Sequence, residues 1–102
     1  MNTKQAKGIA LVTGASTGIG AIYADRLAKR GHDLILVARN RERLASLARQ
    51  ITSETGRKVE TVQADLTSQS DLRRVEDILR TNGTISVLVN NAGVGATDPL
   101  IT

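Results

Sequence analysis

The sequence predicts an α/β fold, a doubly wound parallel sheet built in the order β-α-β-α-β-α-β. Three observations lead there. Two continuous apolar runs, Ile9-Ala10-Leu11-Val12 and Leu34-Ile35-Leu36-Val37-Ala38, lack the alternation of a half-exposed strand and read as strands buried on both faces. Segments with helical apolar spacing lie between the strands, joined by short connections. Strands separated by amphipathic helices pair in parallel, with right-handed crossovers. At 102 residues the chain has room for one small domain.

Taken in order, the first strand runs into Gly14, Gly18 and Gly20, and the spacing predicts a helix from Gly18 to about Arg30. Ile19, Ile22, Tyr23 and Leu27 make its apolar side. Gly31 is its C-terminal cap, and Lys29 and Arg30 complement the dipole in its last turn. After the second strand, Asn40 caps a helix from about Arg41 to Glu54, with Leu44, Leu47, Ala48 and Ile51 as its stripe and Gly56 as its stop. Val59 to Ala64 forms the third strand. Ser68-Gln69-Ser70-Asp71 resembles a capping box with Asp in place of Glu or Gln. It opens a third helix whose inner face carries Leu72, Val75, Ile78 and Leu79, closed by Asn82-Gly83. Ile85 to Val89 is the fourth strand, ending in Asn90-Asn91-Ala92-Gly93.

A strand, a glycine turn and a helix N-terminus in succession suit a diphosphate. Gly14 can take backbone angles closed to other residues, Gly18 lets the main chain approach a pyrophosphate, and Gly20 allows close packing of the helix on its strand. The first N–H groups of the helix lack intrahelical partners and favour an anion.

The end of the second strand decides between dinucleotides. An acidic residue there would accept from a ribose 2′-hydroxyl, whereas an arginine accommodates a 2′-phosphate. Here the strand ends Val37-Ala38-Arg39, about 20 residues beyond Gly20. A planar guanidinium grips phosphate with parallel hydrogen bonds, which favours NADP(H) over NAD(H). An exposed arginine before a helix is also common without any ligand. Arg41 and Arg43 are read as surface helix charge.

Asp65, after the third strand, can accept from an adenine amino group while Leu66 packs on the ring; an acidic residue at that place is equally a turn former. Asn90 and Asn91 can tie loop backbones to each other or to a ribose, and Gly93 allows close approach, although an Asn-Gly cluster also makes a plain turn.

Thr13-Gly14-Ala15-Ser16-Thr17-Gly18-Ile19-Gly20, Ala38-Arg39-Asn40, Ala64-Asp65-Leu66 and Asn90-Asn91-Ala92-Gly93 occur in the order and spacing of the short-chain dehydrogenases/reductases. The resemblance spans essentially residues 8–95. It implies a Rossmann-type doubly wound sheet, of which these are the first four strands. It also implies that Gly14, Ser16, Thr17, Gly18, Ile19 and Gly20 hold the pyrophosphate and nicotinamide ribose. Arg39 and Asn40 would meet the 2′-phosphate, Asp65 and Leu66 the adenine, and Asn90, Ala92 and Gly93 the adenosine ribose side. Many NADP-using members carry a basic residue where this chain has Thr17, so selectivity rests mainly on Arg39.

The family's chemistry needs a serine and a Tyr-x-x-x-Lys pair, in which the lysine lowers the tyrosine's pKa for proton transfer at the carbonyl oxygen. The only tyrosine here is Tyr23, with Leu27 four residues on. No catalytic residue is therefore assigned. The expectation is a truncated N-terminal part, residues 1–102, of an NADP(H)-dependent oxidoreductase that moves hydride between a nicotinamide and a carbonyl or alcohol. The alternative is a stand-alone nucleotide-binding or interaction module without turnover. The resemblance implies a fourth strand flanked by a fifth, whereas in the lone 102-residue chain Ser86-Val87-Leu88-Val89 would form an apolar edge strand open to self-association.

Composition narrows the field further. Hydrophobic residues make 40% of the chain and charged ones 24%, which suits a soluble globular domain. Cysteine is absent and His32 is the only histidine, so neither a thiolate nor a multi-imidazole metal site is expected. The net charge is +4, but Phe and Trp are absent and the basic residues are dispersed, which argues against nucleic acid. No apolar run reaches the roughly 18 residues of a membrane span and no signal-peptide core precedes Gly8, so the expected location is cytoplasmic.

Overall fold

The computed structural model describes residues 7–16 and 18–91. Four strands, β1 (Ile9–Thr13), β2 (Asp33–Ala38), β3 (Val59–Gln63) and β4 (Ile85–Asn90), alternate with three helices, α1 (Gly18–Lys29), α2 (Arg41–Thr55) and α3 (Gln69–Thr81). The sheet is entirely parallel in the order β3-β2-β1-β4, so the C-terminal ends of all four strands share one edge. Both central strands are buried along nearly their whole length, as their unbroken apolar runs require, while β3 and β4 lie at the margins and are only partly covered.

Alternation along the central strands feeds two cores. Ala10, Val12, Leu34 and Leu36 pack on one face with Ala24 and Ala28 of α1 and with Leu44 and Ile51 of α2. Leu11, Ile35 and Val37 pack on the other face with Ala64 and Val75, flanked by Ile78 and Leu79 of α3. Helices thus cover both faces, the doubly wound arrangement. Leu11, Leu34, Leu36, Leu44 and Ile51 are fully buried, and each such side chain contributes about 1.5–3 kcal/mol through its removal from water.

Two expectations about helix faces are corrected. On α1 the apolar residues Ile19, Ile22 and Tyr23 are 60%, 53% and 47% exposed, and the buried stripe is Gly20, Ala24 and Ala28. The physical reason lies at the start of the helix. A Cβ on Gly20 would collide with the Gly14 carbonyl oxygen, so Gly20 must face the loop. The two residues one and two turns further on then face the sheet as well. On α3, Leu72 is exposed although Val75, Ile78 and Leu79 point inward as expected.

Capping explains where the helices begin and end. Asn40 accepts from the Arg43 N–H at 3.0 Å, and Gly56 closes α2 in a left-handed conformation with its N–H on the Thr52 carbonyl. After α1, the N–H of Gly31 reaches the Ala28 carbonyl and that of His32 reaches Leu27, the paired bonds of a helix stop. The predicted capping box closes only halfway: Ser68 Oγ accepts from the Asp71 N–H, but the Ser68 N–H goes to the Asp65 carbonyl. Aspartate is one methylene shorter than glutamate, and the Asp71 carboxylate is engaged elsewhere.

β4 carries an irregularity. Ile9 pairs with Ile85 but Ala10 pairs with Val87, which leaves Ser86 as the extra residue. Ser86 Oγ donates to the Lys7 carbonyl and lies over Gly8, where no Cβ would fit. Ile85 consequently packs on the α3 side, whereas Val87 and Val89 pack on the α1 and α2 side. At the N-terminal ends of the strands, away from the glycine loop, His32 Nδ1 donates to the Gly8 carbonyl and Arg57 bonds the Gly31 carbonyl and the Asp33 carboxylate. The single histidine is structural there.

Candidate functional site

Because the sheet is parallel, the segments that follow its four strands meet along one edge. Register pairs Thr13 with Val37 and with Asn90, and Ala38 with Gln63, so the four strand ends are level. Open α/β sheets bind ligands in the crevice outside such an edge.

The loop after β1 is held from both sides. The Ala15 N–H donates to the Val37 carbonyl at the end of β2. Gly14 and Gly18 both have positive φ, 64° and 50°, which only glycine adopts freely. Among the described residues nothing lies within 4 Å of the position a Gly18 Cβ would occupy, so space beside the first turn of α1 is open to that extent. Gly20 packs instead on the Gly14 carbonyl and beside the Asn91 side-chain amide, a closer match to the loop than to the strand. Ser16 is half-buried in the same loop and Ile19 is exposed beside it.

Thr13 was not singled out by sequence reasoning, and it joins β1 to β4. Its hydroxyl donates to Asn90 Oδ1 at 2.9 Å and accepts from the Asn91 N–H at 2.9 Å, and the residue is buried. A threonine ending an otherwise apolar strand was the available signal. The Asn90 side-chain amide thus ties β4 to β1 through the Thr13 hydroxyl, while Asn91 contributes its main-chain N–H.

Where β2 and β3 end, an open cleft of about 470 Å³ is lined by Arg39, Gln63, Ala64, Asp65, Asp71 and Arg74. Arg39 is exposed, and among the described residues its guanidinium has no hydrogen-bond or ion-pair partner. Asn40 uses its Oδ1 for the cap of α2. Asp65 Oδ1 accepts from both the hydroxyl and the N–H of Thr67, at 2.6 and 3.0 Å. The Thr67 hydroxyl, then its N–H, hold the Asp65 carboxyl below its ordinary value of 3.8, and the positive charge of Arg39 acts in the same direction. Leu66 is half-buried and packs against the α3-side core.

Gly14, Ser16, Gly18, Ile19 and Gly20 therefore stand together after β1, Arg39 and Asn40 after β2, Asp65 and Leu66 after β3, and Asn90 at the end of β4. Thr17, Ala92 and Gly93 lie outside the described residues. Among the described residues no group of three or more His, Cys, Asp or Glu side chains is set to hold a metal ion. No helix there is long and apolar enough to cross a membrane.

The profile of the family described as short chain dehydrogenase matches residues 8–101. Human 17-beta-hydroxysteroid dehydrogenase type 3 is 40% identical over 85 residues, which cover 83% of this chain and 27% of that protein. The bulky-bulky ketone specific alcohol dehydrogenase from Comamonas testosteroni matches with a TM-score of 0.82 and 51% identity, over 84% of this chain and 36% of that one. A short-chain dehydrogenase from Sphingobium yanoikuyae, solved in complex with NADPH, matches with a TM-score of 0.78 and 53% identity, over 79% and 32%. The chain spans about a quarter to a third of the length of these relatives. With the profile running through nearly the whole sequence, and solved relatives sharing both its sequence and its sheet, this chain belongs to the short-chain dehydrogenase family.

Proposed function

We propose that the chain is the cofactor-binding N-terminal part of an NADP(H)-dependent short-chain oxidoreductase that interconverts a carbonyl compound and an alcohol. The observation that carries this reading is the convergence of the glycine loop, Arg39, Asp65 and Asn90 on one sheet edge. The residues fit a dinucleotide. Among the described residues space is open over Gly18, next to the N–H groups that begin α1 and have no partner within the helix, which suits a pyrophosphate. An exposed guanidinium at Arg39, without a partner among the described residues, suits a 2′-phosphate, and the NADPH complex of the Sphingobium relative supports that choice.

Gly14, Ser16, Thr17, Gly18, Ile19 and Gly20 would hold the pyrophosphate and nicotinamide ribose, and Arg39 with Asn40 the 2′-phosphate. Asp65 and Leu66 would face the adenine, and Asn90, Ala92 and Gly93 the adenosine ribose. When bound, the nicotinamide supplies or accepts the hydride. The chain's own work is to bind and orient it: the Thr13–Asn90–Asn91 bonds brace the loop, and Arg39 selects the phosphate-bearing cofactor.

Calorimetric titration tests this. The chain should bind NADPH more tightly than NADH, and Arg39→Ala should lower NADPH affinity by roughly tenfold or more, the loss of charge-assisted bonds, while sparing NADH. Equal affinity of the unsubstituted chain for both cofactors would remove the selectivity assignment.

Tyr23 lies on α1 with Leu27 four residues on, which supports a second reading: the 102-residue chain alone binds nucleotide without turnover. Neither reading expects turnover from the 102 residues alone, and the intact mass of the natural polypeptide separates them: a mass near 10.9 kDa supports the stand-alone module, and one of about twice that or more supports the longer oxidoreductase. β4 has no outer neighbour among the described residues, and the bare chain is expected to self-associate through it.

A further inference from the structure

The turn from β3 into α3 carries more hydrogen bonds than a connection needs, and they meet at Asp71. One carboxylate oxygen, Oδ2, accepts from the Asp65 N–H at 2.9 Å. The other, Oδ1, accepts from Arg74 Nη2 at 3.3 Å, and the same Nη2 donates to the Gln63 carbonyl at 2.7 Å. Asp71's own N–H is held by Ser68 Oγ, and the Ser68 N–H by the Asp65 carbonyl, which closes a ring. Gln63, Asp65, Asp71 and Arg74 all line the cleft that Arg39 faces.

The diverted capping box points to what this ring does. An acidic residue three positions after the cap ordinarily reaches back to the cap amide. Here the carboxylate turns to the amide of Asp65 at the cleft wall, through a bond strengthened by its charge and by Arg74. Asp65 Oδ1 is consumed by Thr67, and among the described residues Oδ2 makes no hydrogen bond. The aim of that free oxygen follows from the main chain at Asp65.

We propose that Asp71, held by Arg74, is a positioning residue for the adenosine end of the dinucleotide: it fixes the backbone from Gln63 to Asp65 so that Asp65 presents its free oxygen to the base. This rests on the cofactor reading above. Asp71 touches no ligand in this scheme and acts through Asp65.

The test uses the full 102-residue chain, titrated with NADPH and with 2′,5′-ADP, the adenosine half alone, at a temperature where circular dichroism shows every variant folded. Asp71→Ala should weaken both ligands by the same roughly tenfold factor, and Asp71→Asn, which keeps one acceptor, by only a few-fold. The Asp65 amide should lose hydrogen-exchange protection in step with affinity. A purely structural role would lower the melting temperature and leave the affinity of the folded chain unmoved. Should Asp71→Ala fail to fold, Arg74→Met removes the carboxylate's partner and is expected to weaken 2′,5′-ADP by a few-fold. Unchanged 2′,5′-ADP affinity in the folded variants overturns the proposal while the cofactor reading stands. An unsubstituted chain that binds neither ligand overturns both.

Discussion

Gly20 sits against the carbonyl oxygen of Gly14 so closely that the smallest possible side chain would overlap it. One contact between two glycines sets the approach of α1 to its loop and turns Gly20, Ala24 and Ala28 inward. Replacing Gly20 with alanine must push the helix off the loop. A loss of about 1–3 kcal/mol is expected from the forced shift, read as a fall in melting temperature. Gly83→Ala is the control: among the described residues nothing lies near its added Cβ, and its φ is not positive, so it should change stability little. Equal effects of the two substitutions would refute the contact's role.

Thr13 is the second brace of the edge. Thr13→Val keeps the shape but leaves Asn90 Oδ1 and the Asn91 N–H without this partner, at a cost of roughly 1–3 kcal/mol in unfolding free energy, read as a lower denaturant midpoint. Thr13→Ser restores the hydroxyl and should recover most of that loss. A valine variant as stable as the parent would show that water replaces the hydroxyl without penalty.

The Asp65–Thr67 turn makes a prediction about pH. Thr67 lowers the folded-state pKa of Asp65 below 3.8, so the folded chain holds the carboxylate more strongly than the unfolded chain does. The stabilisation is therefore fully present above the ordinary aspartate value and is lost as pH falls through the folded-state pKa. Thr67→Val removes the hydroxyl and retains the N–H, so the Asp65 carboxyl should titrate closer to 3.8 by NMR. The same titration midpoint in both chains would contradict this cause.

Leu88 is exposed near the middle of β4, the strand without an outer neighbour among the described residues. Concentration-dependent association of the chain is expected, and Leu88→Lys should shift sedimentation toward the monomer because a charged edge resists pairing. Association that persists unchanged in the lysine variant would move attention to the exposed Ile19, Ile22 and Tyr23 of α1.

The sequence by itself determined the order of elements, the parallel sheet and the four motif-bearing strand ends. Those features are local. Unbroken apolar runs mark β1 and β2, glycine spacing marks the turn before α1, and Asn40 and Gly56 bracket α2. Parallel pairing then carries every strand's C-terminal end to one edge, so the candidate site could be read before any coordinate. The tertiary structure decided the rest, because those features depend on residues distant in the chain or on which of two neighbours wins a donor. The apolar side of α1 was visible as a stripe, yet a backbone carbonyl six residues away chose which side faces the sheet. Asp71 looked like a helix cap, and the nearby Asp65 amide claimed its carboxylate. Thr13 opened the glycine motif in the sequence, but its hydroxyl's partners came only with the fold, which brings Asn90 and Asn91 beside it, 77 and 78 residues along the chain.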